Sequence, residues 1–214
     1  MSYSSGISKT EIIDLSVSLV ALVAAFSILG ERRVPGIEVI MISAVGAGSG
    51  FLLHEMAHKF AAQRYGYWAE YRANWSGLVF MVVTAFMGII FAAPGAVWFQ
   101  KVGTAAPMYA DEVNPEQLKK EKREQLWIAL AGPMTNIVLT VLFFLLLVSG
   151  VLTSRLGFGA AYYAIFINLT LAAFNLLPFG PLDGAKVFSA SSPIWAIVAV
   201  PTILVALPVY FGII

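Results

Sequence analysis

The chain alternates long, mainly apolar runs with short polar breaks. The first run is Ile12–Leu29, closed by the turn E-R-R-V-P-G. The second extends from Val39 to about Ala62 and carries H-E-M-A-H toward its end. A third covers about Gly77–Phe91, followed by A-A-P-G-A-V-W-F, and further runs cover about Leu126–Val148, Ala160–Leu177 and Ile194–Ile213. Several approach or exceed the roughly 18 residues that cross a hydrocarbon core. They are continuous rather than alternating, which predicts helices and excludes a barrel. The expected fold is therefore an all-α polytopic membrane protein with about six transmembrane helices. Between the third and fourth runs, N-P-E-Q-L-K-K-E-K-R-E-Q predicts a solvated surface helix. There Asn114 is the N-cap, Pro115 the first helical residue, and charges recur at helical spacing. N-L-L-P-F-G-P-L-D-G-A breaks the end of the Ala160–Leu177 run.

Composition narrows the picture. Of 214 residues, 59% are hydrophobic and 12% charged, against about 25% charged in a soluble domain. The length suits one domain, residues 1–214, whose partner is the lipid bilayer. A net charge of +1 gives no footprint for nucleic acid, and the absence of cysteine excludes disulfides, iron–sulfur ligation and thiol chemistry. The N-terminal stretch has no basic leader and no cleavage site, so Ile12–Leu29 reads as a retained span.

Charge placement decides how the third run lies. If it crosses fully, with the N-terminus inside, five of the thirteen Lys and Arg fall inside and eight outside. If it dips in and returns, ten fall inside and only Arg32, Arg33 and Arg155 outside. The positive-inside rule favours the second arrangement. Gly77, Gly88, Pro94 and Gly95 suit a re-entrant path, which is tolerated where it is buried or lines a cavity. H-E-M-A-H and P-L-D-G then lie on the same, cytosolic side.

The only two histidines are His54 and His58. Four residues apart on a helix, they share one face and can bind one Zn²⁺. Glu55, rotated off that axis, can hold a coordinated water and take its proton. A catalytic zinc needs a third protein ligand and an open position. With no further His and no Cys, that ligand is an acid. Asp14 opens the first span and is expected at the interface, while Glu38 lies on the opposite side of the bilayer. Asp183, at the broken end of a span, is the remaining candidate, although P-L-D-G also reads as turn chemistry. Burying a carboxylate costs about 2.5–3.5 kcal/mol on insertion scales, which makes an intramembrane His-Glu-His cluster a functional feature. Asn136 and Asn175 can each serve as interhelical hydrogen bonds. Gly132-Pro133 reads as a helix start or a kink, and R-Y-G-Y-W as an interfacial aromatic belt.

Together H-E-M-A-H, A-G-P-M-T-N and N-L-L-P-F-G-P-L-D-G resemble the site-2 proteases, intramembrane zinc metalloproteases. The resemblance covers a catalytic core of about Val39–Lys186; the flanking spans, about 12–29 and 194–213, match only as apolar helices. It implies one Zn²⁺ per chain on His54, His58 and Asp183, Glu55 as general base, and Asn175 as a holder of the substrate backbone. It also implies that Ser76–Phe99 is an insert, a re-entrant loop or short β element, that grips an extended substrate. The substrate would be the transmembrane segment of another membrane protein, cut in the plasma membrane with the active site toward the cytosol. Neither a PDZ nor a CBS domain is present in these residues. The alternative is a zinc or divalent-cation transporter using the same cluster; such a protein needs a relay of ligands across the membrane, and this chain has few mid-membrane acids.

Overall fold

The computed structural model describes residues 6–31, 35–91, 94–101 and 115–211. Among these, five helices are long and apolar enough to cross a membrane. They are α1 (Lys9–Glu31), the combined α2 (Ile37–Ala47) and α3 (Leu53–Arg64), α5 (Pro115–Val148), α6 (Arg155–Asn175) and α8 (Ser192–Tyr210). A single π-helical turn, Gly48–Leu52, joins α2 to α3. Between α3 and α5 lie strand β1 (Tyr67–Ala73), helix α4 (Trp75–Phe86) and strand β2 (Gly95–Lys101), and the short helix α7 (Asp183–Ala190) follows α6. Exposed apolar side chains such as Val141 and Phe144 on α5 and Ile197 and Leu204 on α8 form a surface suited to lipid. The protein is an integral membrane protein.

The third apolar run does not cross. Helix α4 has 12 residues, about 18 Å of rise against a hydrocarbon core of about 30 Å. β1 and β2 pair antiparallel from Tyr67↔Lys101 to Ala73↔Gly95, and the Asn74 N–H donates to the Pro94 carbonyl at 2.8 Å. The excursion thus closes where it opened, as a re-entrant path with a two-stranded insert. Gly66, with φ +80°, makes the sharp turn from α3 into β1, a conformation that suits glycine.

Two expectations need revision. The charged stretch before Leu126 is not a separate surface helix but the start of α5, which runs 34 residues without a break; no glycine or proline separates the two parts, and Asn114 lies outside the described residues. Of the two readings of Gly132-Pro133, the helix start is excluded, because the pair sits inside α5. The aromatics after Arg64 are not simply a belt, because Tyr67 is buried and its hydroxyl donates to Glu124 at 2.9 Å. Asp14, near the start of α1, is buried and accepts the Ala73 N–H at 3.3 Å.

Three helix starts carry side-chain caps. The Asn74 side chain accepts from the Gly77 amide, Ser154 from Gly157 and Ser191 from Ile194. Two apolar cores result. One joins Leu22 and Phe26 of α1 to Met81 and Ala85 of α4 and to Tyr71 of β1. The other joins Leu126 and Leu130 of α5 to Leu176, Val187 and Ala199. The site described next lies between them.

Candidate metal centre

His54 and His58 stand one turn apart on α3, both buried. Their Nε2 atoms are 3.0 Å apart. Asp183, the first residue of α7, brings its Oδ2 to 2.9 Å from His58 Nε2 and 3.4 Å from His54 Nε2. A tetrahedral zinc with bonds of about 2.0–2.1 Å spaces its ligand atoms by about 3.3 Å. The three atoms thus form one face of such a tetrahedron.

The hydrogen bonds behind the rings make the donor set explicit. His58 Nδ1 lies 2.7 Å from the Ile128 carbonyl, which can only accept. His54 Nδ1 lies 2.5 Å from Asn136 Oδ1, and the Asn136 Nδ2 donates to the Gly50 carbonyl and to Asn168 Oδ1. Both imidazoles therefore carry their proton on Nδ1 and turn a lone pair inward from Nε2. Three lone-pair donors converging within 3.4 Å repel one another unless a cation lies among them.

Glycines bring the backbone this close. A Cβ on Gly132 of α5 would lie 2.3 Å from His58 Nε2 and 2.6 Å from His54 Nε2. A Cβ on Gly184 would lie 2.2 Å from the Leu176 carbonyl carbon and oxygen. The second contact seats α7 against the end of α6 and so aims Asp183 at the histidines. Lys186, one turn further on α7, donates to Asp183 Oδ1 at 3.1 Å and leaves Oδ2 for the centre.

A cavity of about 600 Å³ opens on these residues. Glu55, a residue 5% exposed, lines it with a carboxylate whose Oε2 has no hydrogen-bond partner among the described residues. An enclosed, unsatisfied carboxylate oxygen beside three converging ligands is where a water or substrate group fits. The opposite wall is β2, from Gly95 to Phe99. Asn175, at the end of α6, lines the same cavity, while its Nδ2 donates to the Leu171 carbonyl. The structure therefore gathers His54, Glu55, His58, Asp183 and Asn175 around one cavity. Asn136 makes the interhelical bond expected of it, but its acceptance from His54 was not foreseen. The usable signal was spacing: Gly132 and Asn136 are four apart on α5, matching the four-residue spacing of the histidines they meet.

Comparison with known proteins agrees with this picture. Residues 42–160 match the model of peptidase family M50, a stretch that holds H-E-M-A-H and A-G-P-M-T-N. Three relatives are each named "putative zinc metalloprotease". MJ0611 of Methanocaldococcus jannaschii is 39% identical over 197 residues, covering 92% of this chain and 92% of the relative. YwhC of Bacillus subtilis is 27% identical, over 67% of this chain and 65% of the relative. Rip3 of Mycobacterium tuberculosis is 28% identical, over 73% of this chain and 34% of that longer relative. No solved structure matches the chain.

Proposed function

The chain belongs to peptidase family M50, and we propose that it is a zinc metalloprotease that cuts membrane proteins within or near their transmembrane segments. The observation carrying this reading is that one cavity, set among five span-length helices, is lined both by three side chains that could hold a metal ion and by a strand whose outer edge is unpaired among the described residues. The whole of residues 1–214 acts as one intramembrane protease domain.

His54, His58 and Asp183 would hold the zinc, which would polarise the scissile carbonyl and lower the pKa of water so that hydroxide is available near neutral pH. Glu55 takes the proton of the attacking water and delivers it to the departing amine nitrogen. Asn175 offers its amide oxygen to a substrate N–H on the cavity wall.

A peptide bond inside a helix is shielded, so the substrate must be cut in extended form. β2 supports this. In an antiparallel pair, alternate residues turn their amides away from the partner. Tyr71 and Ala73 turn theirs toward α1, so their partners Val97 and Gly95 turn theirs to the far edge of β2. That edge makes no backbone hydrogen bond among the described residues. An unwound substrate segment can add there as a strand and replace the helical bonds it gives up.

The charge bias supports a site toward the cytosolic side of the membrane. His58 lies six residues before the end of α3 at Arg64, about 9 Å inside it. Water reaches the centre from that end. Among the described residues no other group of three His, Asp or Glu side chains converges, which leaves a transport relay without its next station.

The test uses purified wild type, Glu55→Ala and His54→Ala in detergent, measuring bound zinc and cleavage of a single-span membrane substrate in the same samples. The expected result is about one zinc per chain in wild type and Glu55→Ala, cleavage by wild type alone, and loss of both in His54→Ala. Cleavage that persists in Glu55→Ala, or a wild type that takes up no zinc when metal is added back, would overturn the reading.

A further inference from the structure

Glu11 is fully buried, and its two carboxylate oxygens serve two different elements. Oε1 accepts the Tyr71 N–H of β1 at 3.1 Å, while Oε2 accepts from Lys59 Nζ at 2.5 Å. Lys59 directly follows His58 on α3 and is 1% exposed. One helical turn beyond Glu11, Asp14 accepts the Ala73 N–H, two residues along the same strand edge. The first turns of α1 thus occupy the place of a third strand. They close the outer edge of β1 with carboxylates and leave β2 as the open edge.

We propose that Glu11 is a positioning residue: it fixes the distance between the substrate-presenting sheet and the metal-bearing helix, and so selects which peptide bond is cut. The proposal rests on the protease reading above. Taking two opposite charges out of water is costly, and well-packed neutral residues often serve stability equally well. What such residues would not supply is a single carboxylate that ties the edge of β1 to the residue beside a metal ligand. Strand residues rise about 3.3 Å each, so sliding the sheet that far along α3 would present the neighbouring bond to the metal. Nothing else in the proposed mechanism uses Glu11 or Lys59.

The experiment compares wild type with the double variant Glu11→Gln/Lys59→Met. This keeps an acceptor for the Tyr71 amide and leaves no buried charge unpaired, but removes the link to α3. The probes are synthetic single-span peptides carrying a Gly-Pro pair at successive positions, with products located by mass spectrometry. Wild type is expected to cut each cleavable probe at one main bond. The double variant is expected to keep its zinc, to spread its cuts over neighbouring bonds, and to lose about 100-fold in rate at the original one, as a misplacement of 1 Å can cost. Glu11→Asp, which keeps the charge but shortens the link by one methylene, should fall between the two, and replaces the double variant if that does not fold.

A second readout needs no substrate. The chain has no cysteine, so spin labels at Phe60→Cys on α3 and Trp98→Cys on β2, both exposed positions, report the sheet-to-helix distance directly. A narrow distribution that broadens or shifts in the variant supports the proposal. An unchanged distribution, or an unchanged cleavage position, overturns it. If wild type cuts no probe, the protease reading is what fails, and the spin-label distance still decides whether Glu11 sets the spacing.

Discussion

Consider Gly132→Ala. In the interior of a helix this exchange ordinarily stabilises, by about 1 kcal/mol, because alanine is the better helix former. Here the added methyl would lie 2.3 Å from His58 Nε2 and 2.6 Å from His54 Nε2, where ordinary contact begins near 3.4 Å. Either the two rings or α5 must retreat by about 1 Å, whereas a metal site tolerates about 0.2 Å in its bond lengths. Changing only the partners behind a ligand costs about 10- to 100-fold in affinity, so moving two ligand atoms should cost more than about 100-fold. The expected variant is thus well folded and poor in zinc. Competition with a graded chelator, read by elemental analysis, measures the affinity, and circular dichroism checks the helix content. Gly48→Ala is the control, since a Cβ there meets nothing within 4 Å. A Gly132→Ala protein that holds one zinc as tightly as wild type would refute the placement of the metal between the two imidazoles and α5.

Three further outcomes are expected. Asp183→Asn keeps the shape of the side chain but removes its charge, and should release zinc at chelator concentrations that wild type withstands; unchanged retention would remove Asp183 from the centre. Asn136→Leu leaves the His54 Nδ1–H without its acceptor and should weaken zinc binding by about 10- to 100-fold, measured by the same competition, with the melting profile checking the packing around Gly50 and Asn168. Cysteines placed singly at Ser76 and Lys101 should react with a membrane-impermeant reagent from the same side, because the Asn74–Pro94 hydrogen bond closes the excursion that lies between them; reaction from opposite sides would mean that the α4 region crosses the bilayer.

What the sequence disclosed follows from how local each feature is. The spacing of His54 and His58 is a property of one helix, so their shared face was visible at once. Asp183 came from counting: a chain with two histidines and no cysteine can complete a zinc site only with an acid. The re-entrant path emerged from a sum over distant charges, which works because sidedness is a global constraint. Its β insert came instead from the family resemblance, since A-V-W-F lacks the alternation of a half-buried strand; one face of β2 meets the cavity and its outer edge makes no backbone hydrogen bond among the described residues. The partners of the histidines were hidden for another reason. An amide such as Asn136 in an apolar helix needs some partner, and only packing decides which one. The same holds for Glu11. The charge count already put Lys9 and Lys59 at the same membrane face, so an acid near the start of α1 could reach Lys59. That the pair would be buried depends on β1 folding over it, and β1 was the element the pattern did not disclose. Burial is what turns an ordinary surface ion pair, worth about 0–1 kcal/mol, into one that can hold two elements at a set distance.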